Sequence, residues 1–166
     1  CVCILTGWRK TPMHTLYNTL TYLVLPWAVL RLLWRGVINR RYWKHCGERF
    51  GFVTSVPVTG TCRVWFHAVS VGEVQAAVPL VSALLRAQPD CEVWLTTTTP
   101  TGRERVKQAL GDRVRLSYVP YDTPDAVARF LARITPHVLV IMETEIWPNL
   151  IAMSVARQLP VVLVNA

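Results

Sequence analysis

CRVWFHAVSVGEVQAAVPLVSALLRA, Cys62–Ala87, decides the fold. Its first six residues are a β-rich apolar run that predicts a strand at Cys62–His67. Ser70-Val-Gly-Glu73 matches the S-x-x-E capping box, in which serine and glutamate satisfy each other's backbone donors. The pattern then turns helical from Gly72 to Ala87. Strand, tight turn, helix is the opening of an α/β unit. Two readings of Glu73 remain open on this stretch alone: a helix cap, or a carboxylate that takes a proton from a substrate.

The same rhythm continues outward. Apolar runs at Glu92–Thr97, Val114–Tyr118, His137–Met142 and Pro160–Asn165 predict four more strands, with helices at Gly102–Leu110, Thr123–Ile134 and Ile146–Gln158 between them. HVLVIM and PVVLVNA show no polar alternation, as expected of strands covered on both faces. Alternation with short connections predicts an α/β fold, a Rossmann-like parallel sheet over residues 61–166. SVPVTG, Ser55–Gly60, reads as a linker before it.

Ligands of such sheets gather at the carboxyl ends of the strands. The segments there are HAVSVGE, TTTTPTG, PYD, METEIWPN and NA. They supply Ser70, Gly72, Thr99, Thr101, Glu145 and Asn149 as candidate binding residues, with Glu73 and Glu143 as candidate catalytic carboxylates. If the strand before METEIWPN persists, Glu143 and Glu145 project to one side. The alternative for these acids is a cap on the helix beginning near Ile146. Thr101-Gly-Arg-Glu104 repeats the capping-box template, and Arg103 and Arg105 read either as anion ligands or as a solvated helix face. There is neither a GxGxxG nor a GxxxxGK[ST], so no standard diphosphate cradle is present.

The first fifty residues differ in kind. They hold eight Lys and Arg against Glu48 alone, whereas the rest of the chain is within one charge of neutral. The net charge of +8 therefore belongs to this segment, and no nucleic-acid-binding motif accompanies it. Between Lys10 and Arg31 there are twenty uncharged residues, about the length that crosses a bilayer. Arginines and aromatics follow in RLLWRGVINRRYWK, a headgroup-like mixture that puts this side in the cytoplasm. Residues 13–54 thus read as a membrane anchor and basic amphipathic segment, either spanning the bilayer or lying in its interface. Met13 is the first methionine, and residues 1–12 are expected to be an upstream or non-native extension. Five scattered cysteines with no CxxC pair predict reduced thiols and no metal site.

Taken together and in this order, HAVSVGE, TTTTPTGRERV, PYD and METEIWPNLI resemble the 3-deoxy-D-manno-oct-2-ulosonic acid (Kdo) transferases of Gram-negative bacteria, from about Met13 to Ala166. RYWKHCGERFGF resembles that family's N-terminal region. The resemblance implies an enzyme of the inner membrane, on its cytoplasmic face, that moves Kdo from CMP-Kdo to a hydroxyl of the lipid A precursor. It implies inversion, no metal and no cofactor, with Glu73 as general base and Glu143 as transition-state stabiliser. It also implies two Rossmann-like domains of the GT-B kind, of which this chain carries the acceptor-side one and lacks the C-terminal nucleotide-binding one. The chain alone is then expected to be inactive. A membrane-tethered α/β binding module without chemistry, or another GT-B glycosyltransferase with a lipid acceptor, are the competing readings.

Overall fold

The computed structural model describes residues 2–5, 12–143 and 147–164. Five parallel strands form the sheet: β2 (Cys62–His67), β3 (Cys91–Thr97), β4 (Arg115–Tyr118), β5 (Val138–Met142) and β6 (Val161–Val164). The helices between them are α2 (Val71–Ala87), α3 (Pro100–Leu110), α4 (Pro124–Ile134) and α5 (Pro148–Ala156). A further strand, β1 (Val2–Leu5), pairs antiparallel with β6 at the sheet edge. It lies in the stretch that the sequence left outside any element. Cys3 and Ile4 sit opposite Leu163 and Val162, so an apolar tetrapeptide finds an unpaired edge whose pleat it matches.

The strand order is β1-β6-β5-β2-β3-β4. The chain runs outward from β2 through β3 to β4, then returns to lay β5 on the other flank of β2. The order therefore reverses between β2 and β5, and their loops flank the crevice where such sheets take ligands.

Alternate residues of each strand feed two separate cores, as the period of two requires. Trp65, Trp94, Leu139 and Ile141 pack with Phe130 of α4 and Leu150 of α5. Val64, Phe66, Val93, Leu95 and Val140 pack with Val74, Ala77 and Val81 of α2 and Val106 of α3. Both indoles buried in the sheet find acceptors: Trp65 Nε1 donates to Thr96 Oγ1 (2.9 Å) and Trp94 Nε1 to Ser117 Oγ (2.8 Å). Prolines 100, 124 and 148 take the first helical position, where a missing N–H costs nothing. That is why α3 starts before Gly102 and α5 after Ile146.

The linker is not free. Arg63, wholly buried, donates to the carbonyls of Val56 (3.0 Å) and Pro57 (3.1 Å) and pairs with Glu92 (2.6 Å). Glu92 in turn accepts from the amide and hydroxyl of Thr59. The expectation of reduced thiols fails at one pair. Cys62 and Cys91 are register partners at the start of β2 and β3, with Cα atoms 4.9 Å apart, and are joined as a disulfide. Sequence spacing could not show this, because strand register alone makes residues 29 apart neighbours.

A 27-residue helix, α1 (Pro12–Ile38), lies between β1 and β2 in the chain and continues through Pro26. At 1.5 Å per residue it is about 40 Å long. It is long and apolar enough to cross a membrane. Its two flanks differ, however. Tyr17, Thr21, Ala28 and Leu32 are half-buried or buried, and they share one side at helical spacing. Leu16, Leu20, Leu23, Trp27, Leu30 and Trp34 form an exposed apolar stripe, each more than half accessible. Hydroxyls fix the inner flank to the globular part: Tyr17 donates to Asp122 (2.8 Å) and Tyr22 to Asp125 (2.6 Å).

Candidate active site

Glu73 sits in the first turn of α2, at the carboxyl end of β2, and is 2% exposed. The capping box is complete: Glu73 N donates to Ser70 Oγ (3.1 Å), and Ser70 N to Glu73 Oε1 (3.0 Å). A second amide, Val69 N, donates to Oε2 at 2.8 Å. Each carboxylate oxygen thus accepts one backbone hydrogen bond and keeps a second lone-pair direction. Capping and proton transfer are therefore not exclusive here. Ser70 and Gly72 are exposed on the same turn.

Across the order reversal, β5 ends at Met142, so the condition for Glu143 and Glu145 to share a side of a strand is not met. Glu143 instead takes a left-handed conformation (φ 60°), exposed, with its amide on the carbonyl of Val164 (2.7 Å). A non-glycine residue in this region carries a local cost of roughly 1–2 kcal/mol, of the sort that collects at functional turns. Glu145 lies outside the described residues, as do Asn165 and Ala166. Trp147 reaches back over the end of β2, its ring edge-on to His67 at 5.4 Å.

The first turn of α5 finds its acceptor in another loop. Asp122, of the PYD loop, accepts from Asn149 N (3.0 Å) and Leu150 N (2.8 Å) as well as from Tyr17. Asn149 is fully buried and its side-chain amide donates to the carbonyl of Asp122 (2.6 Å), leaving Oδ1 without a partner. Burial pushes the Asp122 carboxyl above its ordinary range, against the pull of these donors. The sequence placed Asp122 in the right loop but gave no sign of its partner.

The Thr-rich turn also differs from its template. Thr99, not Thr101, caps α3, accepting from Gly102 N at 3.1 Å, because Pro100 occupies the first helical position. Thr101 is exposed, and Glu104 pairs with Arg41 (2.7 Å) rather than closing a capping box. Arg103 binds Glu48 (2.8 Å) and lies over the Tyr118 ring, whereas Arg105 is exposed. Thr98 joins the two loops, donating from Oγ1 to the carbonyl of Val69 (2.7 Å).

Two buried groups escaped the sequence reading. His67, fully buried at the end of β2, hydrogen-bonds Thr96 Oγ1 (3.2 Å) through Nδ1, and its Nε2 has no partner. Burial pushes its pKa down to about 4, so the imidazole is neutral. Arg49, 7% exposed, donates to the carbonyl of Thr98 (2.7 Å) and stacks on Tyr118 at 4.3 Å. Only the fold brings this residue of the basic segment to the strand ends.

Residues 44–166 match the family model described as 3-Deoxy-D-manno-octulosonic-acid transferase (kdotransferase). The chain is 39% identical over 150 residues to the 3-deoxy-D-manno-octulosonic acid transferase of Haemophilus influenzae, covering 90% of this chain and 35% of that protein. It is 44% identical over 125 residues to the protein of the same name from Bordetella pertussis, covering 71% and 28%. The chain thus spans about a third of the length of these relatives. A solved structure, "S. aureus MnaA-UDP co-structure", overlays 56% of this chain and 26% of its own with a TM-score of 0.41 at 12% identity.

Proposed function

The chain belongs to the 3-deoxy-D-manno-octulosonic acid (Kdo) transferase family of glycosyltransferases, and from that premise we propose that it is the acceptor-side half of an inverting, GT-B-type enzyme. Its donor is CMP-Kdo and its acceptor the lipid A precursor. The donor's nucleotide falls to a second domain outside this sequence, in keeping with the missing phosphate cradle.

The observation that carries this reading is the adjacency of β2 and β5 at the order reversal. The turns bearing Glu73 and Glu143 follow these two neighbouring parallel strands. Glu73 is held by two backbone amides at a helix N-terminus, which fixes its carboxyl group in place. A free lone pair on either oxygen then takes the proton of the acceptor hydroxyl as that oxygen attacks the sugar's anomeric carbon from the face opposite the departing CMP. Glu143, exposed at the mouth, supplies negative charge to the developing oxocarbenium ion. Ser70, Gly72, Thr99 and Thr101 edge the acceptor side.

Membrane attachment belongs to the same reading. The inner flank of α1 is occupied by protein, so the helix lies in the interface of the cytoplasmic leaflet with its apolar stripe toward the acyl chains. Arg31, Arg35, Arg40, Arg41 and Lys44 meet the anionic headgroups.

The test is Glu73→Gln in an enzyme completed with the C-terminal domain of a relative. Glutamine still serves in the capping box, so melting temperature should barely change. Removal of a general base should lower kcat by about 10²–10⁴-fold. Retention of more than about a tenth of wild-type kcat would return Glu73 to a purely capping role. Glu104→Gln, which loses only an exposed pair with Arg41, is the control.

A further inference from the structure

A cavity of about 210 Å³ lies between the second half of α1 and the N-terminal end of α3. Arg31 and Arg35 enter it from α1, Arg49 from the turn before the sheet, and Thr98 and Thr99 from the loop after β3. Among the described residues, no aspartate or glutamate is in its walls. Arg31 and Arg35 rest over Trp27 and Tyr42, and neither is in an ion pair among the described residues. Glu48, next to Arg49, is committed to Arg103 and to the amide of Tyr118. Arg49 is 7% exposed, and its Nε has no hydrogen-bond partner. Three arginines therefore line one cavity with no carboxylate among its described walls: Arg31 and Arg35 are exposed, and Arg49 is buried with an unused donor. A buried guanidinium with an unused donor, such as that of Arg49, calls for an anion. The capped end of α3 adds the positive end of a helix dipole.

We propose that this cavity binds a phosphate group, the oxyanion whose geometry guanidinium forks match. Its neighbourhood suggests a headgroup as the source. Thr98 at its wall is hydrogen-bonded to Val69, whose amide holds Glu73, and the exposed stripe of α1 runs past its rim at Trp27. A lipid whose phosphate seats on Arg49 presents its sugar or glycerol hydroxyls toward the Glu73 turn. This choice of source rests on the lipid-acceptor reading above. The anion site itself does not.

The test uses the whole chain and phosphatidylcholine vesicles doped with phosphatidic acid, a phosphate monoester, or with phosphatidylglycerol, a diester, at matched surface potential. Wild type should prefer phosphatidic acid by about tenfold, the factor expected of one added bidentate contact. The Arg31→Gln/Arg35→Gln pair should lose that preference. Arg40→Gln/Lys44→Gln, equal in charge but outside the cavity, should weaken binding to both lipids alike. Arg49→Lys, if folded by circular dichroism, should also abolish the preference, since an ammonium cannot form the fork. Competition by inorganic phosphate assigns a site open to free phosphate as well; its absence assigns the headgroup alone. Equal binding to both lipids by wild type, or a preference that survives the Arg31/Arg35 change, overturns the site. The readout is binding, so loss of the preference leaves the Glu73 assay untouched, and failure of that assay leaves this one standing.

Discussion

The hydroxyl of Tyr17 donates to the carboxylate of Asp122 across 105 residues of sequence, at 2.8 Å. Because the same carboxylate caps α5 through Asn149 and Leu150, one buried acid ties the apolar helix to the segment that follows Glu143. Tyr17→Phe should cost about 1 kcal/mol, the net worth of one hydrogen bond. Asp122→Ala strands three donors, two of them buried amides, and should cost about 2–4 kcal/mol. Urea melts of the two variants check this. Equal losses would mean that Asp122 does little beyond receiving Tyr17.

His67 makes stability depend on pH. Its folded pKa, about 4, lies below the ordinary 6.5, so the unfolded chain binds more protons. The neutral imidazole's contribution is whole above pH 6.5 and is lost as pH falls from there toward 4. The loss should be on the order of 3 kcal/mol. His67→Gln, which cannot titrate, should flatten that part of the curve. Parallel melting curves for the two proteins between about pH 7 and about pH 4 would assign the acid sensitivity elsewhere.

Arg63 holds the linker to the underside of the sheet. Arg63→Met leaves Glu92 without its buried partner and should destabilise by about 3–5 kcal/mol. Adding Glu92→Gln should recover a good part of this. A double variant no better than the single one would place the cost in the freed carbonyls of Val56 and Pro57 instead.

The stripe of α1 is mostly exposed among the described residues, so changing it should leave the fold alone. Leu23→Glu and Trp27→Glu should each weaken binding to anionic vesicles at least about tenfold, from roughly 2 kcal/mol of lost apolar burial. Thr21→Val, on the opposite flank, should not. Unchanged flotation of the stripe variants would remove α1 from the interface.

The sequence by itself determined the five parallel strands and the helices between them. Apolar runs such as Val138–Met142 have no other stable use than a strand covered on both faces, and Ser70 and Glu73 specify their cap through neighbours three residues apart. Periodicity and capping are local, so they can be read locally. The resemblance in the loop motifs pointed to the family that the wider comparisons show. Only the tertiary structure decided what depends on contacts between distant segments. Strand order set Glu73 and Glu143 on neighbouring loops, because β5 returned to the far side of β2 rather than extending the sheet past β4. Register joined Cys62 to Cys91. The fold of residues 46–54 onto the strand ends buried Arg49 beside two arginines of α1, and the PYD loop gave Asp122 a helix other than its own to cap. Nothing in the composition of those segments names their partners. A charge or a hydrogen-bond acceptor states only that it must be satisfied, and the packing of the whole chain chooses by what.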